Sequence, residues 1–463
     1  MKIPAKILAI LSACLALCAC NSFNKTGYET VRVAAPFDMP DIVLADFPSN
    51  DFPITDFGAK SGGKIDNTNA IAAAIDACSK AGGGRVVVPA GIWKTGPIHL
   101  KSNVNLYLSD NSELVFSGNP ADYLPAVLSS WEGIECYNYS PLIYAVNCQN
   151  IAITGKGTLR AEMQVWKTWM GRPQAHIDAL RQLYTYCSTN APVETRQMAV
   201  GENHLRPQFI QFNRCKNIRL ENFKIVESPF WTIHIFLSEN GLIRNVNIKA
   251  LEHNNDGVDF ECSKNFLVEN CTFYQGDDAI VIKSLRNHDG WRIDTPSKNI
   301  VARNCTVKAG HALLVIGSEL SGGVKNILAE NCQIKDSPDA KTWRVLRIKT
   351  NERRGGVVDN IYIRNVSVDN VSEGVVSIET DALFQWKDFP TYETRLTKIG
   401  NVFAENITCK SANYLCYIDG ESKLPPENIS LKNIKVDKIK KFPYMLKNCK
   451  NLSIENADYG TIK

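Results

Sequence analysis

The sequence lacks any long apolar run beyond its first 20 residues: no later stretch reaches the roughly 18 apolar residues that a membrane-spanning helix needs. It also lacks a block of basic residues, and its formal net charge is only +4. These two absences argue against an integral membrane protein and against a nucleic-acid partner. An apolar content of 44% is ordinary for a globular protein, so we expect the rest of the chain to be soluble and exported.

The N-terminus has the pattern of an export signal. A short basic region precedes the apolar segment Ile7 to Ala19, which is too short to cross a bilayer as a helix. Cysteine follows small residues at Cys14 and again at Cys20, as in the lipobox of bacterial lipoproteins. Cys20 leaves an apolar run of normal length, so we expect residues 1–20 to be a lipoprotein signal peptide. A plain signal peptide with a chance cysteine is the alternative.

A six-residue unit that begins and ends with Asn recurs along the chain. It occupies residues 217–222, 240–245 (a looser copy), 265–270, 299–304, 326–331, 360–365, 401–406, 428–433 and 451–456. The starts are 23 to 41 residues apart, which suits single coils of a solenoid, some of them carrying inserted loops. Apolar and polar residues alternate as in a half-buried strand, and Asn tolerates the left-handed conformation of turns. We therefore predict an all-β fold, a single-stranded right-handed parallel β-helix of roughly nine or more coils.

Twelve of the fifteen cysteines lie beyond the signal segment. Cys271, Cys305 and Cys332 each follow an Asn at the same position of the repeat, so they should stack on successive coils. We interpret them as buried thiols that pack as small apolar groups. A disulfide between other cysteines of an exported chain stays open.

A short helix is predicted over Ala70 to Lys80, with Asn67, Thr68 or Asn69 as N-cap and the glycines at 82–84 ending it. Placed before the first coil, this helix would cover the open apolar end of the solenoid. We accordingly expect a linker over residues 21–50 and a catalytic β-helix domain over 51–463.

Three segments interrupt the rhythm of the coils: residues 160–206, 286–297 and 371–397. The first is the largest, is rich in aromatic residues, and contains a possible helix from Pro173 to Tyr184. Long loops on a rigid solenoid are the usual place for binding. Four arginines near these loops, at positions 286, 292, 353 and 354, are most simply interpreted as solvated loop charges, and residues that line the cleft are the alternative.

Three titratable residues share one offset in the repeat. Asp256, Asp277 and His311 each lie seven residues before a serine, which predicts one position on three successive coils about 4.8 Å apart. Stacked carboxylates push their pKa values apart, so that one group stays protonated while another is ionised. Glycoside hydrolysis needs such a pair. Turn residues or a calcium site are the alternative for the aspartates, and a structural role is the alternative for His311.

The same register places Lys349 two coils beyond Lys283. Basic side chains next to a row of carboxylates would bind carboxylates of a substrate, and an arginine could do so with two hydrogen bonds.

Several segments of the sequence resemble glycoside hydrolase family 28, the polygalacturonase family, and its bacterial exo-type branch in particular. The resemblance covers roughly residues 53 to 456, and four motifs carry it in the family's order: Asn254-Asn255-Asp256-Gly257, Gly276-Asp277-Asp278, Gly310-His311 and Arg347-Ile348-Lys349. Further similarity lies in the segments at 54–59, 228–231 and 317–323.

The resemblance implies a role for each matching residue. Asp277 matches the general acid, Asp256 and Asp278 match the pair that holds and activates water, and His311 matches the histidine that supports the acid. The residues that match substrate-binding positions, to which we add Lys283 from its register, are Asn254, Arg347, Lys349 and Lys283. The family inverts the anomeric centre, although carboxylates one coil apart would be closer than the roughly 6.5–9.5 Å usual for inversion. No metal and no organic cofactor is implied.

Three positions depart from the family's pattern: Asn255 stands where Thr is usual, Ala312 where Gly often follows the histidine, and Leu285 where Gly is common. The last two add side chains near the site and leave the exact substrate open. Asp278 has a separate difficulty, because neighbours on a strand face opposite ways. It can join Asp277 only if the chain bends, and Gly276 makes a bend plausible.

The resemblance implies hydrolysis of galacturonic acid linkages in a pectic polysaccharide, either polygalacturonan or rhamnogalacturonan. The large loop at 160–206 favours attack from a chain end. We further expect a monomer, held to a bacterial membrane only through lipid on Cys20, in the periplasm or at the cell surface. A calcium-dependent pectate lyase and a non-catalytic glycan-binding β-helix are the alternatives.

Overall fold

The structure is a computed structural model that describes residues 21–23, 29–338, 340–382, 386 and 388–460. The predicted signal peptide, including Cys20, lies outside the described residues. Within them, every helix is too short or too polar to cross a bilayer.

Nearly all strands belong to one sheet of parallel neighbours, wound as a right-handed β-helix, as predicted. Three stacks of strands form its faces. The first stack consists of Asp51–Pro53, Gly84–Val88, Val104–Leu108, Gln149–Gly155, Lys216–Glu221, Glu239–Arg244, Lys264–Glu269, Ser297–Arg303, Val324–Glu330, Val357–Asn370, Lys398–Ser411, Glu427–Val436 and Lys450–Tyr459.

The second stack consists of Gly91–Thr95, Ser112–Phe116, Thr158–Ala161, Lys224–Val226, Asn247–Ala250, Thr272–Gln275, the beginning of Thr306–Ile316 and Gln333–Ile334. The third stack consists of Ile98–His99, Ile143–Val146, Ile210–Asn213, Ile233–Phe236, Val258–Glu261, Ile280–Lys283, the end of Thr306–Ile316, Thr342–Lys349, Gly374–Glu379, Tyr414–Asp419 and Tyr444–Lys447. Alternate side chains of each strand fill the interior, so one apolar core runs along the solenoid.

Among the described residues, four α-helices accompany the strands: α1 Thr68–Lys80, α2 Gln164–Met170, α3 Gln174–Ser188 and α4 Asn287–Ile293. Short 3-10 turns occur at Ile54–Phe57, Pro120–Tyr123 and Val193–Thr195, and two antiparallel strands, Val127–Trp131 and Ile134–Asn138, form a hairpin.

Helix α1 confirms the predicted capping helix. It packs Ile71 and Ile75 into the core next to the first strands. Its N-cap is Asn67, one of the three predicted, but the Asn67 side chain makes no capping bond, and the Asp66 side chain accepts the N–H of Thr68 at 3.0 Å. The amide of Asn67 instead donates to three backbone carbonyl oxygens nearby.

The repeated asparagines form ladders along the solenoid. Each has a positive φ, and most of their side-chain amides donate to the asparagine of the preceding coil, as from Asn240 to Asn217 at 2.9 Å and from Asn326 to Asn299 at 2.9 Å. Asn is therefore selected twice, for the left-handed turn and for the ladder.

The twelve described cysteines are all free thiols. Cys271, Cys305 and Cys332 are buried in the core at equivalent turns, which confirms the interpretation from their spacing.

Part of the predicted linker packs against the β-helix. Val31 and Ile42 are fully buried against Leu242 and Leu267, two leucines on the outer face of the first stack. The side chain of Asn240 fixes this segment through hydrogen bonds to both backbone groups of Val43. Residues from about 29 to 45 therefore cover an apolar stripe rather than hanging free.

Candidate active site

The outer face of the third stack of strands forms the floor of a cleft, which holds the candidate active site. In the strand Thr342–Lys349, Leu346 and Ile348 point into the core, so Arg347 and Lys349 point outward. The strand pairing sets Lys349 level with Gly317, and Gly317 with Lys283, as the sequence predicted. Because Gly317 has no side chain, the space between the two lysines stays open.

The three carboxylates converge on this floor. Asp256, Asp277 and Asp278 all line one cleft of about 430 Å³, together with His311 and Lys349. Asp256 and Asp278 are almost completely buried, and Asp277 lies at the surface of the cleft with only a small exposed fraction.

The predicted row placed Asp256 beside Asp277, and this alignment was wrong by one residue. The pairing of the two strands sets Asp256 level with Asp278, not with Asp277. Asp277 is level with His311, whose backbone N–H donates to the Asp277 carbonyl oxygen at 2.9 Å. The error arose because the two marker serines are not equivalent: Ser263 is level with Leu285, one residue past Ser284.

A bend brings Asp278 to the same side as Asp277, as the sequence required. The chain bends at Gly276 and Asp277, just before the strand Ile280–Lys283. A β-carbon at Gly276 would lie 2.2 Å from the Glu252 carbonyl oxygen, so only glycine fits. The N–H of Asp278 then donates to Oδ1 of Asp277 at 3.0 Å and fixes the bend.

Two positive groups hold these aspartates. Nδ1 of His311 lies 2.7 Å from Oδ1 of Asp277, and Nζ of Lys349 lies 2.8 Å from Oδ2 of Asp278. Asp256 has no such partner within the described chain, and its buried Oδ1 accepts no hydrogen bond there.

These surroundings move the pKa values of two carboxyl groups in opposite directions. Burial, with the charges of Asp259 and Asp277, raises the pKa of Asp256 well above its usual value. Burial also acts to raise the pKa of Asp277, but the hydrogen bond and charge of His311 and the charge of Lys349 outweigh it, so this pKa is lowered. The pKa values are split, but in the unliganded cleft the raised pKa belongs to Asp256 and the lowered one to Asp277, opposite to the roles that the resemblance implies.

The predicted substrate-binding residues also lie at the cleft, where most are already paired. Arg347 donates two hydrogen bonds to Glu379, at 2.9 and 3.2 Å. Lys283 donates to Glu319 at 3.1 Å and lies 4.5 Å from the ring centre of Trp231. The side-chain oxygen of Asn254 accepts a hydrogen bond from Arg206 at 3.0 Å.

Several cleft residues differ from the prediction or were missed by it. The interpretation of Arg286, Arg353 and Arg354 as solvated charges was wrong, because all three are buried, and Arg286 and Arg354 face Glu319 in the cleft wall. Trp343 stacks on the imidazole of His311 with ring centres 3.8 Å apart. Glu132 enters from the tip of the hairpin, which has no repeat signal in the sequence.

The departures from the family pattern do not narrow the cleft. Ala312 packs in a small apolar cluster with Val281, and Leu285 packs with Phe236. Neither is among the cleft-lining residues. The side chain of Asn255 bonds three backbone groups around it, so it stabilises the loop before Asp256.

Asp277, Asp278 and His311 offer ligand atoms within 4.8 Å of one another, close enough to share one ion. Calcium prefers six to eight oxygen ligands. Here one carboxylate is bonded to the ammonium of Lys349 and another to an imidazole. This donor set suits proton transfer better than calcium binding.

A parallel β-helix whose cleft combines three carboxylates, an imidazole and several cations has the parts of an acid–base glycoside hydrolase. The chain belongs to glycosyl hydrolases family 28, whose model matches residues 78–457, and it is therefore a glycoside hydrolase.

Several proteins that this chain is similar to are described as polygalacturonases or galacturonosidases. The chain is similar to a hyperthermoactive exopolygalacturonase from Thermotoga maritima, at 38% identity and a TM-score of 0.84, covering 90% of this chain and 94% of that one. It is 27% identical over 419 residues to a probable polygalacturonase of Vitis vinifera, covering 86% of this chain and 77% of that protein. It is 28% identical over 351 residues to an exo-poly-alpha-D-galacturonosidase of Dickeya chrysanthemi, covering 70% of this chain but only 56% of that protein.

Proposed function

We propose that this glycoside hydrolase cleaves α-glycosidic bonds of galacturonic acid residues in pectic polysaccharide, and that it attacks from a chain end. One observation carries the proposal: three carboxylates lie among cations in a cleft that the insertion at 160–206 walls on one side. The polymer is polygalacturonan or rhamnogalacturonan, both of which present acidic sugars to such a cleft.

The carboxylates divide the chemistry between them. Asp277 donates its proton to the glycosidic oxygen as the bond from that oxygen to the anomeric carbon breaks. Asp256 and Asp278 hold a water molecule on the opposite face of the sugar and accept its proton as it attacks. The anomeric configuration is therefore inverted.

Substrate binding supplies the protonation state that the acid Asp277 needs. In the empty cleft, the positive charges of His311 and Lys349 lower the pKa of Asp277. A galacturonate bound near Lys349 and Arg347 brings negative charge that offsets them and raises the pKa of Asp277. The acid is then protonated when the scissile bond is in place.

The insertion supports attack from a chain end. Ile177, Leu180 and Tyr184 of α3 line the cleft, and the hydroxyl of Tyr184 donates to Glu132 of the hairpin at 2.9 Å. A rigid wall of this kind limits how many sugar units fit on its side of the carboxylates. The exo-acting relatives from Thermotoga maritima and Dickeya chrysanthemi support the same conclusion.

Product analysis tests the proposal. On a defined oligogalacturonide, early samples should contain only a short product released from one end, and proton NMR should show the β-anomer first. Random cuts in mid-chain would refute exo attack, and retention of the α-anomer would refute the proposed roles. An unsaturated product absorbing in the ultraviolet, lost on chelation, would instead identify the lyase alternative.

We further propose that the protein is exported as a lipoprotein, with residues 1–19 removed, Cys20 acylated, and a monomeric catalytic domain from residue 51 onward. The lipobox pattern supports this proposal. Metabolic labelling with a radioactive fatty acid should mark the wild-type protein and leave C20S unlabelled; labelling of both would overturn it.

A further inference from the structure

One cation of the cleft differs from the others in its partners. Five cleft-lining cations lie within 4.0 Å of a carboxylate oxygen: Lys283, Arg286 and Arg354 near Glu319, Arg347 near Glu379, and Lys349 near Asp278. The sixth, Arg172, makes no ion pair with any described residue. Instead, Nη2 of Arg172 lies 2.7 Å from Nε2 of His253.

The backbone on both sides of this contact is fixed. Arg172 lies in the turn between α2 and α3, where its backbone has a left-handed φ of 51°. The buried Arg206 donates to the carbonyl oxygen of His253 at 3.0 Å. Lys167 of α2 forms an ion pair with Glu252 at 2.7 Å, which ties the insertion to the same loop.

His253 serves as a neutral partner. Desolvation, followed by the positive charges of Arg172 and Arg206, lowers the pKa of His253, so its imidazole is uncharged at neutral pH. An uncharged Nε2 accepts one N–H of Arg172, and a guanidinium has five N–H donors in a planar fork. Most of the donors of Arg172 therefore remain for a ligand.

The position of Arg172 is complementary to that of the other cations. Asp256 follows His253 by three residues on the same coil, whereas Arg347 and Lys349 lie on a later coil, on the C-terminal side of the carboxylates. A glycosidic bond in galacturonan joins two units, and each unit carries its own carboxylate. One side of the bond is served by Arg347 and Lys349, and the other side needs a cation of its own.

The geometry points to Arg172, positioned by His253, as a second carboxylate-binding subsite, which takes the uronate unit on the N-terminal side of the three carboxylates. This inference rests on the proposed function and adds a residue that selects acidic over neutral or esterified units there. The insertion thus contributes a specific ligand for the substrate in addition to a steric wall.

The test couples a substitution to a change in the substrate. The variants are R172Q, R172K and, as a matched control from the same insertion, R181Q, whose arginine pairs with Asp388 and is not among the cleft-lining residues. The substrate is the shortest oligogalacturonide that the wild type cleaves, in three forms: the free acid, and the methyl ester of the unit on either side of the cleaved bond. Thermal unfolding checks that each variant folds.

R172Q should lower kcat/KM on the free acid roughly 10- to 100-fold, the usual worth of a charge-assisted hydrogen bond. For only one of the two esters, that of the unit which Arg172 binds, R172Q should lower kcat/KM less than about twofold. In that substrate the ester has already removed the interaction with Arg172. R172K should retain part of the activity, and R181Q should match the wild type. Should R172Q fail to fold, R172K gives the same comparison, because lysine lacks the bidentate fork.

An equal loss on all three substrate forms would mean a structural role, and unchanged activity on the free acid would mean no role; either result overturns the subsite and leaves the proposed function standing. A folded wild-type protein that cleaves no galacturonide in any form would overturn the proposed function itself, and the subsite with it.

Discussion

Nδ1 of His311 lies 2.7 Å from Oδ1 of Asp277, the same oxygen that accepts the backbone N–H of Asp278 at 3.0 Å. Two donors on one carboxylate oxygen fix the orientation of the group and leave Oδ2 as the oxygen available to a substrate. The proposed proton donor is therefore held by its own backbone bend and by the next coil.

Replacing His311 should move the pH dependence of the enzyme. H311Q removes the hydrogen bond and the charge that lower the pKa of Asp277, so this pKa should rise toward and above its usual value. An acid must be protonated to act, so the high-pH limb of kcat/KM should shift to higher pH even as the maximum activity falls. Rates measured from pH 3 to 8 show this directly, and a limb that stays in place or moves down would contradict the role of His311.

The acid and the water-holding carboxylates should respond differently to the leaving group. D277N should lose about 10²–10⁴-fold on an oligogalacturonide, because the leaving oxygen is no longer protonated. On a nitrophenyl α-galacturonide, whose leaving group needs no proton, D277N should lose far less. D256N and D278N act on water and should lose activity on both substrates; equal losses by D277N on the two would refute its assignment.

Trp343 should support His311 from its exposed face. Its ring centre lies 3.8 Å from that of the imidazole, and 40% of the tryptophan surface remains exposed at the cleft. W343A should lower kcat/KM roughly 2- to 10-fold, the usual worth of an aromatic pair, whereas W343F should keep most of the activity. W343A should also shift the high-pH limb of kcat/KM in the direction expected for H311Q. A lower rate with an unshifted limb would mean that Trp343 contacts only the sugar.

The fold could be predicted in detail because the repeat reports local geometry. Each Asn of the repeat marks a left-handed turn, and the same residue forms the ladder with the neighbouring coil, so Asn299 and Asn326 reveal both the coil and its stacking. The alignment of Lys349 with Lys283 on the stacked strands could be predicted from this repeat spacing. The alignment of Asp256 could not, because the two serines used as markers are not equivalent: Ser284 is level with Cys262, not with Ser263.

The walls of the cleft could not be predicted in this way. Arg286, Glu319 and Glu132 meet through contacts between an insertion, a coil and a hairpin, and no periodic pattern relates their positions. A charged residue in a loop is usually solvated. Arg286 is buried only because both carboxylates meet it there, which is a property of the tertiary structure. The environment of Arg172 depends in the same way on how α2 and α3 pack against the loop at His253.

The two central carboxylates should have opposite effects on stability. The folded-state pKa of Asp256 is raised above its usual 3.8, so the folded protein holds this proton more tightly than the unfolded chain does. That contribution to stability is complete below the unfolded pKa and is lost as the pH rises through and above it. D256N removes a buried carboxyl group that has no cationic partner, and it should stabilise the protein at pH 7 by about 1–3 kcal/mol, with no gain near pH 3.5.

Asp277 is the matched control. Its folded-state pKa is lowered, so its contribution is present above the unfolded pKa and is lost as the pH falls toward the folded value. D277N removes the partner of His311 and should destabilise the protein at pH 7 and have little effect at low pH. Unfolding midpoints of both variants and the wild type between about pH 2 and 7 measure the two slopes, that of Asp256 above its unfolded pKa and that of Asp277 below it. Slopes of the same sign would show that the cleft does not separate the protonation of these two carboxyl groups, and the division of acid and base between them would then have to come entirely from the substrate.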